Sequence, residues 1–404
     1  MNKSIFSRWA YMKVLHITNT YNNEILKDNP VIRKIISELS MYGIEQTVII
    51  PVKRLFSGKG EYIFKRNHIQ EHVVPVWGLP YGLLIDLKLC LSAKKIFKYA
   101  PPDCDLIHAH SFISDGYIAY RLSKSLGKPL IVSITATDVC EQLLFYPHLR
   151  ILARKIYDQA SSVISMSEAL RSRFLKLLRI KDDAKTRVIP SGIEKERFEN
   201  SSFKKPDARK FQLIFVGRLV KLKNLKRTII AVKELICEGN ELEFKIIGDG
   251  PMEKQLIDIV YDLGLQNHVK FLGKLDNDQV YQKIKESHSL IMCSVRETFG
   301  LVYIEALSQY RPVIYSKGVG VDGLFEKEVG IGCDPKNIES IKMAIKEIMD
   351  HYEYYLEQVI SFNQEDYVNF TLENTARLYY KLYLETIRQT ANNIKKVHKK
   401  GFSM

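Results

Sequence analysis

The sequence predicts an α/β protein made of two doubly wound units in tandem. Three observations carry that prediction. Short apolar runs of strand length alternate with amphipathic helical stretches from residue 13 onward. That rhythm implies parallel sheets with helices on both faces. The series then restarts after a polar stretch, EKERFENSSFKKPDARK at 194–210, which reads as a linker. Finally, 404 residues are more than one ordinary core organises.

KVLHIT (13–18) is the first strand, and NPVIRKIISELSMYG (29–43) is a helix stopped by Gly43. EQTVIIP (45–51), DLIHAH (105–110), PLIVSIT (129–135), SSVISMS (161–167) and TRVIPSG (186–192) continue the first series of strands. The second series is FQLIFVGRL (211–219), EFKIIGDG (243–250), HVKFLG (268–273), HSLIMCS (288–294) and RPVIYS (311–316). An aromatic-rich helix, LENTARLYYKLYLETIRQ (372–389), precedes a polar tail. Open parallel sheets bind ligands outside the carboxyl ends of their strands, so the strand ends are where chemistry is sought.

Composition narrows the classes. Hydrophobic residues make up 46% and charged residues 26% of the chain, as in a globular protein with two cores. No run approaches the roughly 18 apolar residues of a membrane span. The opening MNKSIFSRWAYMKVLHI lacks the apolar segment of a secretory leader. The six cysteines are scattered without a CxxC pair and read as reduced thiols of a cytosolic protein. The net charge of +14 is unevenly held. Residues 1–190 carry 28 Lys+Arg against 16 Asp+Glu, residues 191–369 carry 25 against 28, and residues 370–404 carry 7 against 2. A basic first half attracts nucleic acid, anionic lipid or an acidic substrate. No RRM, KH or helix-turn-helix signature accompanies it, so nucleic acid is not expected. TNTYNN after the first strand is not GxGxxG, which argues against a dinucleotide dehydrogenase.

Four features of the second half fall on strand ends. VGRLVKLKN (216–224) sets Gly217 and Arg218 after a strand, with Lys223 five residues on. A planar guanidinium and a point charge together suit a diphosphate. IIGDGP (246–251) is a glycine turn, Gly248 and Gly250, that lets backbone approach a ligand. RETFGLVYIEAL (296–307) starts a helix near Phe299 or Gly300, whose free N–H groups favour an anion or a sugar. Glu297 precedes that start, and Glu305 lies over a turn inside with its side chain tilted back towards it. SKGVGVDG (316–323) is a fourth, glycine-rich loop.

In this order the motifs resemble the GT-B retaining glycosyltransferases of family 4. The C-terminal half of that family runs VGR-L-x3-K, GxGP, FLG, E-x-F-G-x4-EA and PV. The matching residues here are Val216 to Arg218 with Lys223, Gly248 to Pro251, Phe271 to Gly273, Glu297 to Ala306, and Pro312 with Val313. VIPSGIEKERF (188–198) is similar to the family's interdomain segment, and NFTLENTARLYYKLY (369–383) to its closing helix. The resemblance implies two Rossmann-like domains facing across a cleft. Residues 1–190 plus 370–404 would form the acceptor domain and residues 191–369 the nucleotide-sugar domain. It implies that Glu305 binds the ribose and Glu297 the donor sugar. Thr298, Phe299, Gly300 and Leu301 would present N–H groups to sugar and diphosphate, beside Gly217, Gly248 and Gly250. Arg218 and Lys223 would neutralise the diphosphate leaving group, with Glu297 counted beside them as catalytic. These cations would stand in place of a metal, so no metal and no cofactor are expected. The donor would be a UDP-sugar, with a GDP-sugar as second candidate.

The first half departs from the family pattern. The loop TNTYNNEILKDNP (18–30) has no glycine pair. SITATDV (133–139) keeps Asp138 but has Thr135 where the family has a histidine. His110, Thr135, Thr137 and Asp138 are therefore the candidate sugar or acceptor contacts. HAH (108–110) puts two imidazoles on one strand face, with no third ligand evident in the sequence. Two stretches, LLIDLKLCLSAKKIFKY (83–99) and LRSRFLKLLRIK (170–181), mix basic and large apolar residues at helical spacing. They suggest peripheral association with the inner face of the cell membrane. The expected activity is retaining transfer of a hexose or N-acetylhexosamine to a hydroxyl of a glycan or lipid-linked glycan, in cell-surface polysaccharide synthesis. The alternative, supported by Thr135, is a non-catalytic GT-B subunit that binds a sugar nucleotide or a partner glycosyltransferase.

Overall fold

The computed structural model describes residues 12–21, 31–53, 62–66, 68–76, 85–181, 183–206 and 209–401. By internal contacts the chain divides into two compact units. The first comprises Met1–Met166, Arg171–Ile189 and Leu372–Met404, the second Ser167–Leu170 and Pro190–Thr371. The polar stretch 194–210 is thus part of the second unit rather than a linker. Phe198 within it is buried, and the buried Arg311 guanidinium donates to the Lys204 carbonyl.

The strands of the first unit are β1 (Lys13–Ile17), β2 (Glu45–Lys53), β3 (Tyr62–Arg66), β4 (Ile69–Val76), β5 (Leu106–Ala109), β6 (Leu130–Ser133), β7 (Ser162–Ser165) and β8 (Thr186–Val188). Between them run helices α1 (Val31–Ser40), α2 (Ile85–Ile96), α3 (Ser114–Leu126), α4 (Leu149–Gln159) and α5 (Glu168–Leu178). The sheet order is β3-β4-β2-β1-β5-β6-β7-β8. Strands β5, β6 and β7 are buried along their whole length, as parallel strands covered on both faces must be. The edge differs from the expected all-parallel sheet, because β3 pairs antiparallel with β4. The sequence hides this hairpin. Its inner strand, IQEHVVPV, buries Glu71 and His72 among its apolar residues, with Glu71 accepting from Tyr21 Oη at 3.0 Å.

The second unit is built from β9 (Phe211–Val216), β10 (Leu242–Ile247), β11 (Val269–Gly273), β12 (Ser289–Met292), β13 (Val313–Ser316) and β14 (Gly330–Cys333). Its helices are α6 (Leu225–Cys237), α7 (Glu253–Asp262), α8 (Asn277–Lys285), α9 (Leu301–Ser308), α10 (Ile338–Asp350) and α11 (Tyr352–Glu365). The order β11-β10-β9-β12-β13-β14 is parallel throughout. Strand β14 escapes a reading by composition because two of its four residues are glycine, which usually marks a loop. Here glycine is required. A Cβ on Gly330 would stand 1.9 Å from the Val313 carbonyl oxygen of the neighbouring strand.

The last helix, α12 (Leu372–Gly401), belongs to the first unit. Leu372, Ala376, Tyr379 and Tyr383 are spaced four, three and four apart, so they form one stripe. That stripe packs on Val14, Leu106, Ile131 and Ile164 of the sheet.

Candidate active site

In both sheets the strand order reverses once, and the crevice at a reversal is where open α/β sheets take ligands. In the second unit the reversal lies between β9 and β12. The loops that leave the carboxyl ends of β9 and β10 are stitched together. Leu219 N donates to Asp249 O at 2.7 Å, and Met252 N donates to Leu219 O at 3.0 Å. Their approach depends on Gly248, which sits at φ 129°, with the place of a Cβ only 2.0 Å from Gly217 O. Gly217 and Gly250 also hold positive φ in these loops.

The reversal is bridged by charge. Lys223, after β9, donates from Nζ to Glu297 Oε2, after β12, at 2.6 Å. Both side chains are about four-fifths covered. Glu297 Oε1 also accepts from Thr298 N at 3.1 Å, and Lys223 Nζ lies 3.2 Å from Met292 Sδ. Gly300 takes φ 92° and turns the chain into α9 at Leu301. A Cβ on Gly300 would stand 2.5 Å from the Tyr303 ring, whose hydroxyl donates to Met292 O at 2.5 Å. Phe299 is buried, Thr298 and Leu301 are half-buried, and Arg218 is exposed. Glu305 is half-buried on α9, one turn and more inside its start. The loop after β13 reaches the same place, since a Cβ on Gly320 would touch Glu297 Cβ at 3.4 Å. The structure therefore brings Gly217, Lys223, Glu297, Thr298, Gly300 and Gly320 into one neighbourhood. A polar cavity of the second unit is bordered by Glu194, Arg197 and Tyr281; the expected donor residues are not in its lining, though the charge of Glu305 reaches Tyr281.

In the first unit the reversal lies between β1 and β5. Thr18 to Tyr21 are the described part of the loop after β1; residues 22–30 lie outside the described residues. Asp138 is not free to meet a sugar. It is buried, and its carboxylate accepts from Phe112 N (2.8 Å), Ile113 N (3.0 Å), Thr135 N (2.9 Å) and Thr135 Oγ1 (2.8 Å). It ties the loop after β5 to the loop after β6, and it engages the Thr135 hydroxyl as well. Thr137 is exposed. Asp115, in the first turn of α3, is buried with its carboxylate facing Asn19 N at 3.3 Å, and burial pushes it up to about 8.

One expectation is corrected here. A third imidazole does stand beside HAH. His16 of β1 is the register partner of His108, and the ligating atoms of His16, His108 and His110 lie within 4.8 Å of one another. The signal was present in KVLHIT but needed the parallel pairing of β1 with β5 to become visible. All three rings are buried, and burial holds them neutral: His16 is pushed down to about 3, and His108 and His110 well below the ordinary range.

Residues 30–197 match the family described as Glycosyltransferase Family 4, and residues 196–361 match glycosyl transferases group 1. The chain belongs to glycosyltransferase family 4. Among relatives of this family-4 protein is the teichuronic acid biosynthesis glycosyltransferase TuaC, so named in Bacillus subtilis. It is 26% identical over 364 residues, covering 83% of this chain and 88% of TuaC. Alpha-monoglucosyldiacylglycerol synthase of Acholeplasma laidlawii is 27% identical over 297 residues, covering 67% and 74%. Among solved structures, Anabaena HepE in complex with UDP and glucose is similar with a TM-score of 0.68. It is 19% identical and covers 93% of this chain and all of the other. The fold class is thereby GT-B, with two Rossmann-like parallel-sheet domains. Among the described residues no helix is long and apolar enough to cross a membrane.

Proposed function

We propose that this family-4 enzyme is a retaining glycosyltransferase. It moves a hexose or N-acetylhexosamine from a nucleotide-diphosphate sugar to a hydroxyl of a glycan or lipid-linked glycan, in cell-surface polysaccharide synthesis. The observation that carries the reading is the Lys223–Glu297 pair across the strand-order reversal. A cation there suits the diphosphate, and the carboxylate beside it suits the hydroxyls of the sugar. Arg218, exposed at the same loop, adds a second cation, and Glu305 takes the ribose. Residues 191–369 hold the donor; residues 1–190 with 370–404 take the acceptor. The bond between the anomeric carbon and the departing phosphate oxygen breaks as the acceptor oxygen bonds to that carbon on the same face. The acceptor proton passes to the leaving diphosphate, so no protein base and no metal is called for. Lys223 and Arg218 stabilise charge where it develops.

UDP is the proposed carrier, since HepE is a fold neighbour that holds UDP with glucose, and GDP is second. Support for an envelope acceptor comes from the names of TuaC and of the diacylglycerol-directed synthase. The enzyme would work in the cytoplasm, peripherally at the membrane's inner face. The two basic stretches bury their apolar sides, Leu89, Ala93 and Ile96 in α2, and Leu170, Phe174 and Leu178 in α5. Membrane attraction would thus rest on charge and on the exposed Phe145 and Ile151, beside exposed Arg154 and Lys155.

The test is a melting-temperature panel of UDP-, GDP-, ADP- and CMP-sugars without metal, on wild type and Glu305→Ala. A ligand bound to the folded state raises the melting temperature. One nucleotide class should stabilise wild type and leave Glu305→Ala unmoved. No response from well-folded wild type would sink the donor site and favour the non-catalytic subunit that Thr135 suggests.

A further inference from the structure

The three buried histidines of the first unit carry a direction. His16 and His108 are paired across β1 and β5, and His110 follows two residues on, so the rings share one face of the sheet. They have six ring nitrogens, and five have protein partners. His16 Nε2 faces Gln46 Oε1 at 3.1 Å, and His16 Nδ1 faces His110 Nε2 at 3.0 Å. His108 lies between Tyr383 Oη (2.7 Å, at Nδ1) and Ser133 Oγ (2.9 Å, at Nε2). The sixth nitrogen, His110 Nδ1, takes part in none of the hydrogen bonds that hold the cluster among the described residues.

Proton placement follows from one end of the chain. Gln46 is fixed by its other atom: Nε2 donates to Ile36 O at 2.8 Å, so Oε1 is what it offers His16. An amide oxygen only accepts. His16 therefore carries its proton on Nε2, which leaves Nδ1 as a lone pair. That lone pair can only accept, so His110 carries its proton on Nε2. His110 Nδ1 is then an unprotonated lone pair at the carboxyl end of β5, beside the strand-order reversal. His108 imposes nothing, since both its partners are hydroxyls that donate or accept.

We propose that Gln46 and His16 are positioning residues that hold His110 in its Nε2–H tautomer, so that His110 Nδ1 accepts a hydrogen bond from a hydroxyl of a sugar substrate. This rests on the glycosyltransferase reading for the identity of the substrate; the tautomer does not. A neighbour's hydrogen bond is a general means of fixing which imidazole nitrogen is free. A divalent metal on the same rings is the competing arrangement, and it would have to break the His16–His110 bond.

The experiment uses the full chain labelled with [15N]histidine, and long-range 1H–15N spectra that read the protonation of each ring nitrogen. Wild type is compared with Gln46→Leu, which removes the acceptor. In wild type, His16 and His110 should each show Nε2 protonated and Nδ1 bare. Gln46→Leu should give mixed tautomers at both rings. With a transferable sugar, Gln46→Leu should raise KM for the sugar-bearing substrate about twofold, the reciprocal of the fraction left in the competent tautomer, with a smaller change in kcat. A proton on His110 Nδ1 in wild type would overturn the proposal. So would a Gln46→Leu spectrum identical to wild type. A joint shift of all three rings with one equivalent of Zn2+ would replace the relay by a metal centre. Failure of every nucleotide sugar to stabilise wild type, with the spectra as expected, would refute the function and leave the relay standing.

Discussion

The Lys223–Glu297 pair predicts opposite effects from its two ends. Lys223→Met keeps the side-chain length and removes the charge. In the free protein Nζ sits 2.6 Å from Glu297 Oε2, with the two side chains 20% and 19% exposed. A hydrogen bond to a charged group is worth about 1.5–3 kcal/mol. If Nζ passes to the diphosphate on binding, Lys223→Met weakens UDP by about 10- to 150-fold. Glu297→Gln removes the carboxylate that competes with the diphosphate for Nζ. That competition is between partly solvated charges, so its relief is worth about 0.2–1 kcal/mol and tightens UDP up to about fivefold. Titration calorimetry with UDP alone is the assay, because the sugar is what Glu297 is proposed to hold. Unchanged affinity in Lys223→Met, or weakened affinity in both variants, would refute the argument.

Gly248→Ala should destabilise the second unit by roughly 3–5 kcal/mol, since the new methyl meets Gly217 O at 2.0 Å; a urea midpoint within error of wild type would contradict that packing. Acid should weaken the fold through the histidine cluster. His16, His108 and His110 stay neutral when folded and gain protons when unfolded as pH falls below about 6.5, so stability drops from pH 7 towards 5. Asp115 acts in the opposite sense. It is protonated when folded up to about 8 and ionised when unfolded above about 4, so its contribution is lost as pH rises through that window. Asp115→Asn should therefore steepen the acid loss in a plot of urea midpoint against pH, and an unchanged slope would refute the assignment. Sedimentation with vesicles should detect binding to phosphatidylglycerol and not to phosphatidylcholine, with a loss of about thirtyfold or more in Phe145→Asp/Ile151→Asp from burying two fewer apolar side chains and adding two like charges. Equal binding to both lipids would remove the role of charge.

What the sequence made legible was local. Strands β9 to β13 of the second unit, the turn at Gly248 and the start of α9 at Gly300 are written in contiguous residues. So are the candidate residues on those loops, because each sits a few positions after an apolar run. What stayed hidden depends on pairing at a distance. His16 lies 92 positions before His108, and only the register of β1 with β5 makes them neighbours. Asp138 was a candidate contact because SITATDV keeps the aspartate of the family's pattern. Its four bonds to the backbone and hydroxyl of two loops are a tertiary fact. Strand β14 and the β3–β4 hairpin were obscured by glycines in one and buried polar residues in the other. In both, contacts outweighed composition.

The two reversals of strand order also differ in a way that suits two ligands. At the β9–β12 crevice the groups are ionised: Lys223 and Glu297 are paired, partly open to water, with Arg218 exposed nearby. Charge there can be exchanged for the charge of a diphosphate at little cost, since water screens both states. At the β1–β5 crevice the groups are neutral. The three buried imidazoles carry no charge, and burial pushes Asp115 up to about 8; the buried Asp138 carboxylate is occupied by its four donors. A neutral lone pair held by a hydrogen-bonded chain favours a hydroxyl over a phosphate, because an anion brought against it would find no cation among the described residues and would lose its hydration. The division of charge between the sheets thus follows the division of chemistry in the proposed reaction. The leaving diphosphate is met by mobile cations, and the hydroxyls of the sugar by a charged carboxylate, Glu297, at one sheet and by a fixed, uncharged imidazole at the other.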